Sequence, residues 1–242
     1  RSISITHHQL RTHRSTRSTS RSTSAQGLGS SQHVGDAVSA ETVSVIIPTF
    51  GDRAAWDVIA GEAIKSLQKQ VRPPDEVIRI HSDTLYRARN LGAAQASCDW
   101  LAFLDADDRY DSQFLNEMMH APRIGLRQPA VQYVNPDGSA DPPVVLPPVH
   151  LLQGNYLIIG TMIRRKLFQD CGGFDDYPIY EDWTLWIKAW LRGAKVSQVP
   201  SAVYQAHRRP QSRNLRLDLA ASVTSEIVAK YQPLAARRKL VQ

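Results

Sequence analysis

Trp100-Leu101-Ala102-Phe103-Leu104-Asp105-Ala106-Asp107-Asp108 is the stretch that decides the fold. Its unbroken apolar run suits a strand covered on both faces, and the run ends abruptly in carboxylates. Working back along the chain, Val43-Ser44-Val45-Ile46-Ile47 is a second, almost wholly apolar run, stopped by Pro48, and residues 76–80 make a further strand after the break at Pro73-Pro74. Between the first two strands, Trp56, Ile59, Ala60, Ala63, Ile64 and Leu67 recur at the spacing of an amphipathic helix over 54–70. Residues 85–97 read as an Ala-rich helix. Strand–helix–strand–helix–strand predicts an α/β fold, an open and mainly parallel sheet flanked by helices. Ligands of such sheets bind beyond the carboxyl ends of the strands, where Asp105–Asp108 falls.

Further on, seven of the fourteen prolines lie in 121–150, which argues against a long regular element there. Asn135-Pro136-Asp137-Gly138 is a turn joining short strands near 131–134 and 144–146. Residues 154–163 are strand-like, 164–171 make a helical turn or two closed by Gly172-Gly173, and 179–191 are strongly helical. Strands follow at 195–199 and 202–207, then a helix over 215–240 interrupted at Pro233. The organisation expected is a basic, disordered tail over 1–40, a first α/β half over 41–120, a second half over 121–213, and a helical segment over 214–242.

The chain of 242 residues carries 29 Lys+Arg against 23 Asp+Glu, a net +6. Five arginines and a single acid, Asp36, fall in residues 1–40, so the charge is largely a property of the tail. Residues 1–24 contain 20 Ser, Thr, Arg or His and cannot bury enough apolar surface to offset their ordering entropy. The basic balance is therefore weak ground for a nucleic-acid partner. No apolar run approaches the ~18 residues of a membrane span. Two cysteines, Cys98 and Cys171, form no disulfide or metal framework, which makes a reducing, cytoplasmic setting the default. No glycine-rich phosphate loop is present.

Three places carry chemistry. Asp105 and Asp107, two apart, can face one site, and clustered carboxylates gain little by folding together unless a cation or a ligand hydroxyl joins them. Hard oxygen ligands suit Mg²⁺ or Mn²⁺, although Asp residues also cap helices. Glu181-Asp182 stands just before an aromatic helix whose N-terminus favours the ionised carboxylate, a candidate proton acceptor. Trp183, Trp186 and Trp190 are more simply core residues than ligand platforms at that spacing. His207 follows a strand and precedes Arg208-Arg209; it is either structural or a metal ligand beside the carboxylates.

In order, these segments resemble family 2 glycosyltransferases. Val43–Phe50 resembles their opening strand; Ser66-Leu67-Gln68-Lys69-Gln70 with Pro74-Asp75-Glu76-Val77-Ile78 resembles the first helix and second strand. Ala88-Arg89-Asn90 and Asp105-Ala106-Asp107 look like the Ala-Arg-Asn and Asp-x-Asp motifs, and Gly172-Gly173-Phe174-Asp175 with Glu181-Asp182 like the acceptor-side pair. The resemblance covers about 42–213. It implies a GT-A fold and inverting transfer of a sugar from a nucleoside diphosphate donor, UDP in the first instance, to an acceptor hydroxyl on a glycan, lipid, protein or small molecule. It places Pro48, Thr49 and Phe50 in the nucleotide pocket, Arg89 near the diphosphate, Asp105, Ala106 and Glu181 around the donor, Mn²⁺ or Mg²⁺ on Asp107 and His207, and the general base at Asp182. Where the family ends its second strand in Val-Asp-Asp-Gly-Ser, this chain has Ile80-His81-Ser82-Asp83, so Asp83 substitutes for the base-contacting acid, with His81 the alternative. A nucleotidyltransferase and a non-catalytic sugar- or nucleic-acid-binding module are the competing readings.

Overall fold

The computed structural model describes residues 40–210 and 216–239. The disordered tail expected over 1–40 lies outside the described residues but for its last position. Strands β1 (Val43–Phe50), β2 (Glu76–Ser82), β3 (Trp100–Phe103), β4 (Arg109–Tyr110), β5 (Leu126–Val134), β6 (Met162–Arg164) and β7 (Val196–His207) form one sheet in the order β2-β1-β3-β6-β5-β7-β4. The long ladders, β1 with β2 and β3 and β5 with β7, are parallel. Short antiparallel pairings of β6 with β3 and β5, and of β4 with β7, stitch the rest.

The helices are α1 (Arg53–Gln68), α2 (Leu85–Gln95), α3 (Phe114–His120), α4 (Arg165–Cys171), α5 (Glu181–Leu191) and α6 (Leu217–Lys239). Alternation along β1 explains why its run is apolar throughout. Ile46 packs into a core with Phe103, Phe168, Phe174, Trp183 and Trp186, while Val45 and Ile47 enter a second core with Trp100, Tyr110, Phe114 and Tyr204. Trp183 and Trp186 are thus core residues. No helix of the described residues is long and apolar enough to cross a membrane.

Four expectations are corrected. Pro48 does not stop β1, because it shares the side of the strand on which Ile46 accepts the Leu104 N–H, and there β3 has already ended at Phe103; its missing donor is not needed. The proline-rich stretch contains the nine-residue β5, which absorbs Pro129 at a register shift against β7. The turn at Asn135–Gly138 is present and closes a hairpin whose return arm forms isolated bridges, Val131 to Val144 and Val134 to Ala140, in place of a regular strand. Residues 154–161 form no strand, though Leu157 and Thr161 are buried; and α6 continues past Pro233 without interruption.

Gly160 fits under β7 because a Cβ there would overlap the Tyr204 ring. Gly160→Ala must displace a fully buried tyrosine. It should destabilise the protein by about 1–3 kcal/mol, the usual range for an overpacked core. An unchanged urea midpoint would show that the ring can move freely.

Candidate active site

The site is built at the carboxyl ends of β1, β2 and β3. The chain leaves β3 and turns through Asp105–Asp108 before pairing again as β4 against β7. Arg109–Gln205 is the last pair of that ladder; Asp107 lies in the turn two residues before β4, and His207 is the last residue of β7. Asp108 ties the turn to the end of β7. It is buried, and its carboxylate accepts the His207 N–H at 2.8 Å and the Tyr204 hydroxyl at 2.7 Å. The same hydroxyl accepts the Asp105 N–H at 3.3 Å. Burial, then Asp105 and Asp107, push the Asp108 carboxyl well above the ordinary carboxylate range.

Asp107 remains partly open, its side chain 27% exposed and 3.4 Å from Arg209. Burial and Asp105 raise its pKa against the pull of Arg209. His207 is held below its usual value, chiefly by burial, and its Nδ1 is buried with no hydrogen-bond partner. Asp105 accepts from Arg89 at 2.6 Å.

Arg89 itself corrects an expectation. It is 2% exposed and, besides Asp105, binds the equally buried Glu181. Neither Arg89 nor Glu181 has a face open to a donor; they lie beneath the site as its support. Ala106 likewise points into the core, at 2% exposure, leaving only its backbone to face a ligand.

At the ends of β1 and β2, Pro48 and Thr49 are buried and Phe50 partly so, its ring 5.8 Å from Trp56. The Thr49 hydroxyl is 3.0 Å from His81 Nδ1 and 3.3 Å from the Ile80 carbonyl. A cavity of about 130 Å³ opens beside them, lined by Thr49, Arg53, Asp57, Arg79 and His81. Asp83 is not in it. Its carboxylate is exposed and turned to Arg87 on α2, at 2.6 Å. Of the two residues considered for base recognition, His81 is the one beside Thr49.

Asp182 sits in the first turn of α5, half-buried. The residue before it in the helix, Glu181, points down to Arg89, and Tyr180 ahead of both has left-handed backbone, φ 64°, the single such non-glycine among the described residues. Asp182 accepts the Trp183 N–H at 2.8 Å and faces the Asn155 amide at 3.5 Å. Burial first, and then Glu181, push its pKa up to about 7, with Arg89 opposing. The helix N-terminus alone predicts the opposite sign; desolvation outweighs it.

Asp175 belongs to the scaffold. It binds Lys188 at 2.6 Å, Lys230 at 2.9 Å and the Tyr231 hydroxyl at 2.5 Å, which fastens α6 to the loop before α5. Sequence reasoning missed Tyr204, Asn155 and Trp56. Tyr204 and Trp56 were counted as strand and helix apolar positions, and nothing local marks a hydroxyl that ties two loops together.

The glycosyl transferase family 2 pattern matches residues 77–123, the segment from β2 through α3 that holds Arg89 and Asp105–Asp108. No curated protein sequence matches the chain. Among solved structures, the fold is similar to that of TarS from S. aureus. TarS 1–349 in complex with UDP-GlcNAc superposes with a TM-score of 0.53 at 18% identity, over 80% of this chain and 72% of that one. The complex with UDP gives 0.51 at 19%, over 79% and 70%. Against the longer TarS structure the score is 0.52 at 19% identity, and this chain spans 43% of its length. This chain has the GT-A type fold shared with the TarS structures. Its family resemblance is to family 2, carried by 77–123.

Proposed function

We propose that this chain transfers a sugar, with inversion, from a nucleoside diphosphate sugar to an acceptor hydroxyl, with UDP as the nucleotide and Asp182 as general base. One observation carries the reading: a single buried arginine grips Asp105 from the β3 end and Glu181 from the α5 start, so the acidic loop and the proton acceptor meet at one place. Thr49, Phe50 and His81 receive the nucleotide. UDP is favoured because the TarS structures similar in fold were solved with UDP and UDP-GlcNAc.

Asp107 and His207 fit a divalent cation. They flank the clasp that the Asp108 carboxylate makes with the end of β7, one carries charge, and the other has a buried ring nitrogen with no partner. Among the described residues no ready-made cage of three such side chains converges, which suits Mn²⁺ or Mg²⁺ arriving with a diphosphate that supplies the remaining oxygens. Held by Asp107 and His207, such a cation would supply positive charge against that of the leaving diphosphate. The protein does the rest. Arg209, now near Asp107, is free to turn to phosphate; Asp182 takes the acceptor proton; Asn155 faces the same carboxylate.

A panel of nucleotide sugars with Mn²⁺ tests the reading. Release of nucleoside diphosphate supports it, whereas pyrophosphate release assigns a nucleotidyltransferase, and binding without either assigns a non-catalytic module. Calorimetry with UDP and Mn²⁺ tests the ligands. Asp107→Ala should lose most metal-dependent affinity, about ten- to a hundredfold for a charged contact of about 1.5–3 kcal/mol. His207→Ala should lose less, since imidazole brings no charge. Equal, metal-independent binding by all three proteins would remove the cation from the scheme.

A further inference from the structure

We propose that Arg89 is a positioning residue, which sets the aim of Asp182 from beneath the site by tying the start of α5 to the acidic loop, without touching the donor. The inference rests on the reading of Asp182 as the base. Its support is geometric and comes from three directions.

First, the guanidinium has one nitrogen on Asp105 at 2.6 Å and another on Glu181, in a setting where arginine and glutamate are each about 2% exposed. A planar fork can hold two carboxylates at fixed separation; a single ammonium cannot. Second, the next residue repeats the tie. Asn90 donates to the Phe174 carbonyl at 2.9 Å and accepts the Phe174 N–H at 2.8 Å, and a Cβ at Gly173 would overlap the Asn90 side chain. The Arg89 guanidinium also lies 5.4 Å from the Phe174 ring centre. Two consecutive residues of α2 therefore fix both ends of the stretch that leads into α5. Third, Tyr180 turns the backbone through left-handed geometry immediately before the pair. Glu181 is thereby held inward, and its neighbour Asp182 is left partly exposed. With Glu181 anchored, the rotation of the first turn of α5 is fixed, and with it the direction of Asp182.

The charged groups around Asp182 are Glu181 on its own helix, Arg89 on α2 and Asp105 on the loop after β3. Arg89 is the lone cation among them, and Glu181 and Asp105 both oppose ionisation of Asp182.

The test uses two variants and a readout independent of any acceptor. Carbon-13 carboxyl spectra of the full chain follow the titration of Asp182, its resonance identified by its loss in Asp182→Asn. Turnover is followed as UDP release from UDP-GlcNAc with water as acceptor. Glu181→Gln keeps the shape and removes the adjacent charge, so the Asp182 titration should move down by about one pH unit or more. Arg89→Lys keeps the charge but not the fork. Its titration should move little, while kcat falls about 10²-fold, the effect of ~1 Å misplacement, and KM for the donor stays within a few-fold. A Glu181→Gln titration identical to that of the wild-type protein would overturn the tie, even if Arg89→Lys fails to fold. So would Arg89→Lys turning over at the wild-type rate. If Asp182→Asn itself turned over normally, the assignment of the base would fall instead, a separate result.

Discussion

Asp182→Asn should leave the nucleotide sugar bound and stop its transfer. The substitution keeps size and shape but puts a non-basic amide where the proposed base stands, and loss of a general base typically lowers rate by about 10²–10⁴-fold. Asp182 has no contact with Thr49, His81, Asp107 or His207, so affinity for UDP with Mn²⁺ should be nearly unchanged. Burial and Glu181 raise its pKa to about 7, and the base works only when ionised. Turnover should therefore fall as pH drops below about 7, and the limb should vanish in the variant. Stability runs the other way. A carboxyl whose folded pKa is raised favours the folded state at low pH and loses that contribution as pH rises from the unfolded value through the folded one. The Asn variant should accordingly unfold no more easily than the wild-type protein at pH 8, and by this argument later. A variant that lost donor affinity in step with rate would move Asp182 to the donor side.

Glu41→Ala should produce the largest loss of stability. The Glu41 carboxylate, its side chain 10% exposed, accepts from Trp100 Nε1 and from Arg127, each at 3.1 Å, and binds Arg164 as well. Arg127 is fully buried, its guanidinium 3.8 Å from the centre of the Trp100 ring, with that of Arg164 at 4.5 Å. The carboxylate is held below its ordinary pKa even though burial opposes this, because the indole N–H and the two arginines favour the charged form. Without Glu41, Arg127 is a buried cation lacking its counter-ion. Breaking such a pair from one side typically costs about 3–5 kcal/mol, out of a total of about 5–15 for a domain. Urea denaturation at pH 7 should show it. Since the folded pKa is depressed, the contribution is fully present above the unfolded value of 4.5 and fades as pH falls through the folded one. The difference between wild-type and variant should narrow on acidification, and a loss below about 1 kcal/mol at pH 7 would place Glu41 among ordinary surface pairs.

The sequence made β1 and β3 legible because both are buried on their two faces and so almost wholly apolar. Val45 and Ile47 serve one core and Ile46 the other, and no other arrangement suits such a run. Residues 121–165 were harder to read. β5 carries Pro129 at a register shift where β7 loops out its residues 200–202, and 154–161 is partly buried without strand pairing, so apolar content there reports packing and not ladder formation. The candidate site divides in the same way. The positions of Asp105, Asp107, Asp182 and His207 were readable because their segments fall in the family's order, though each carboxylate taken alone could equally cap a helix. Their orientation was not. Whether Arg89 faces ligand or core, or whether Asp83 or His81 stands beside Thr49, depends on contacts such as Arg89 with Glu181 that join residues 92 positions apart. The sign of the Asp182 shift was misread for a related reason: helix position is local, and desolvation is not.

The clasp of Asp108 by Tyr204 and His207 joins residues 96 and 99 positions apart. Made vectorially from its N-terminus, the chain completes its acidic loop long before the strand that secures it exists. Until β7 emerges, Asp108 has no partners and must stay hydrated, which holds the loop away from the position it will occupy. Closing so large a loop is slow compared with forming the local helices. Chemical competence is thus among the last properties gained during biosynthesis, and a nascent chain halted before His207 should carry the complete family 2 segment while being unable to assemble the site.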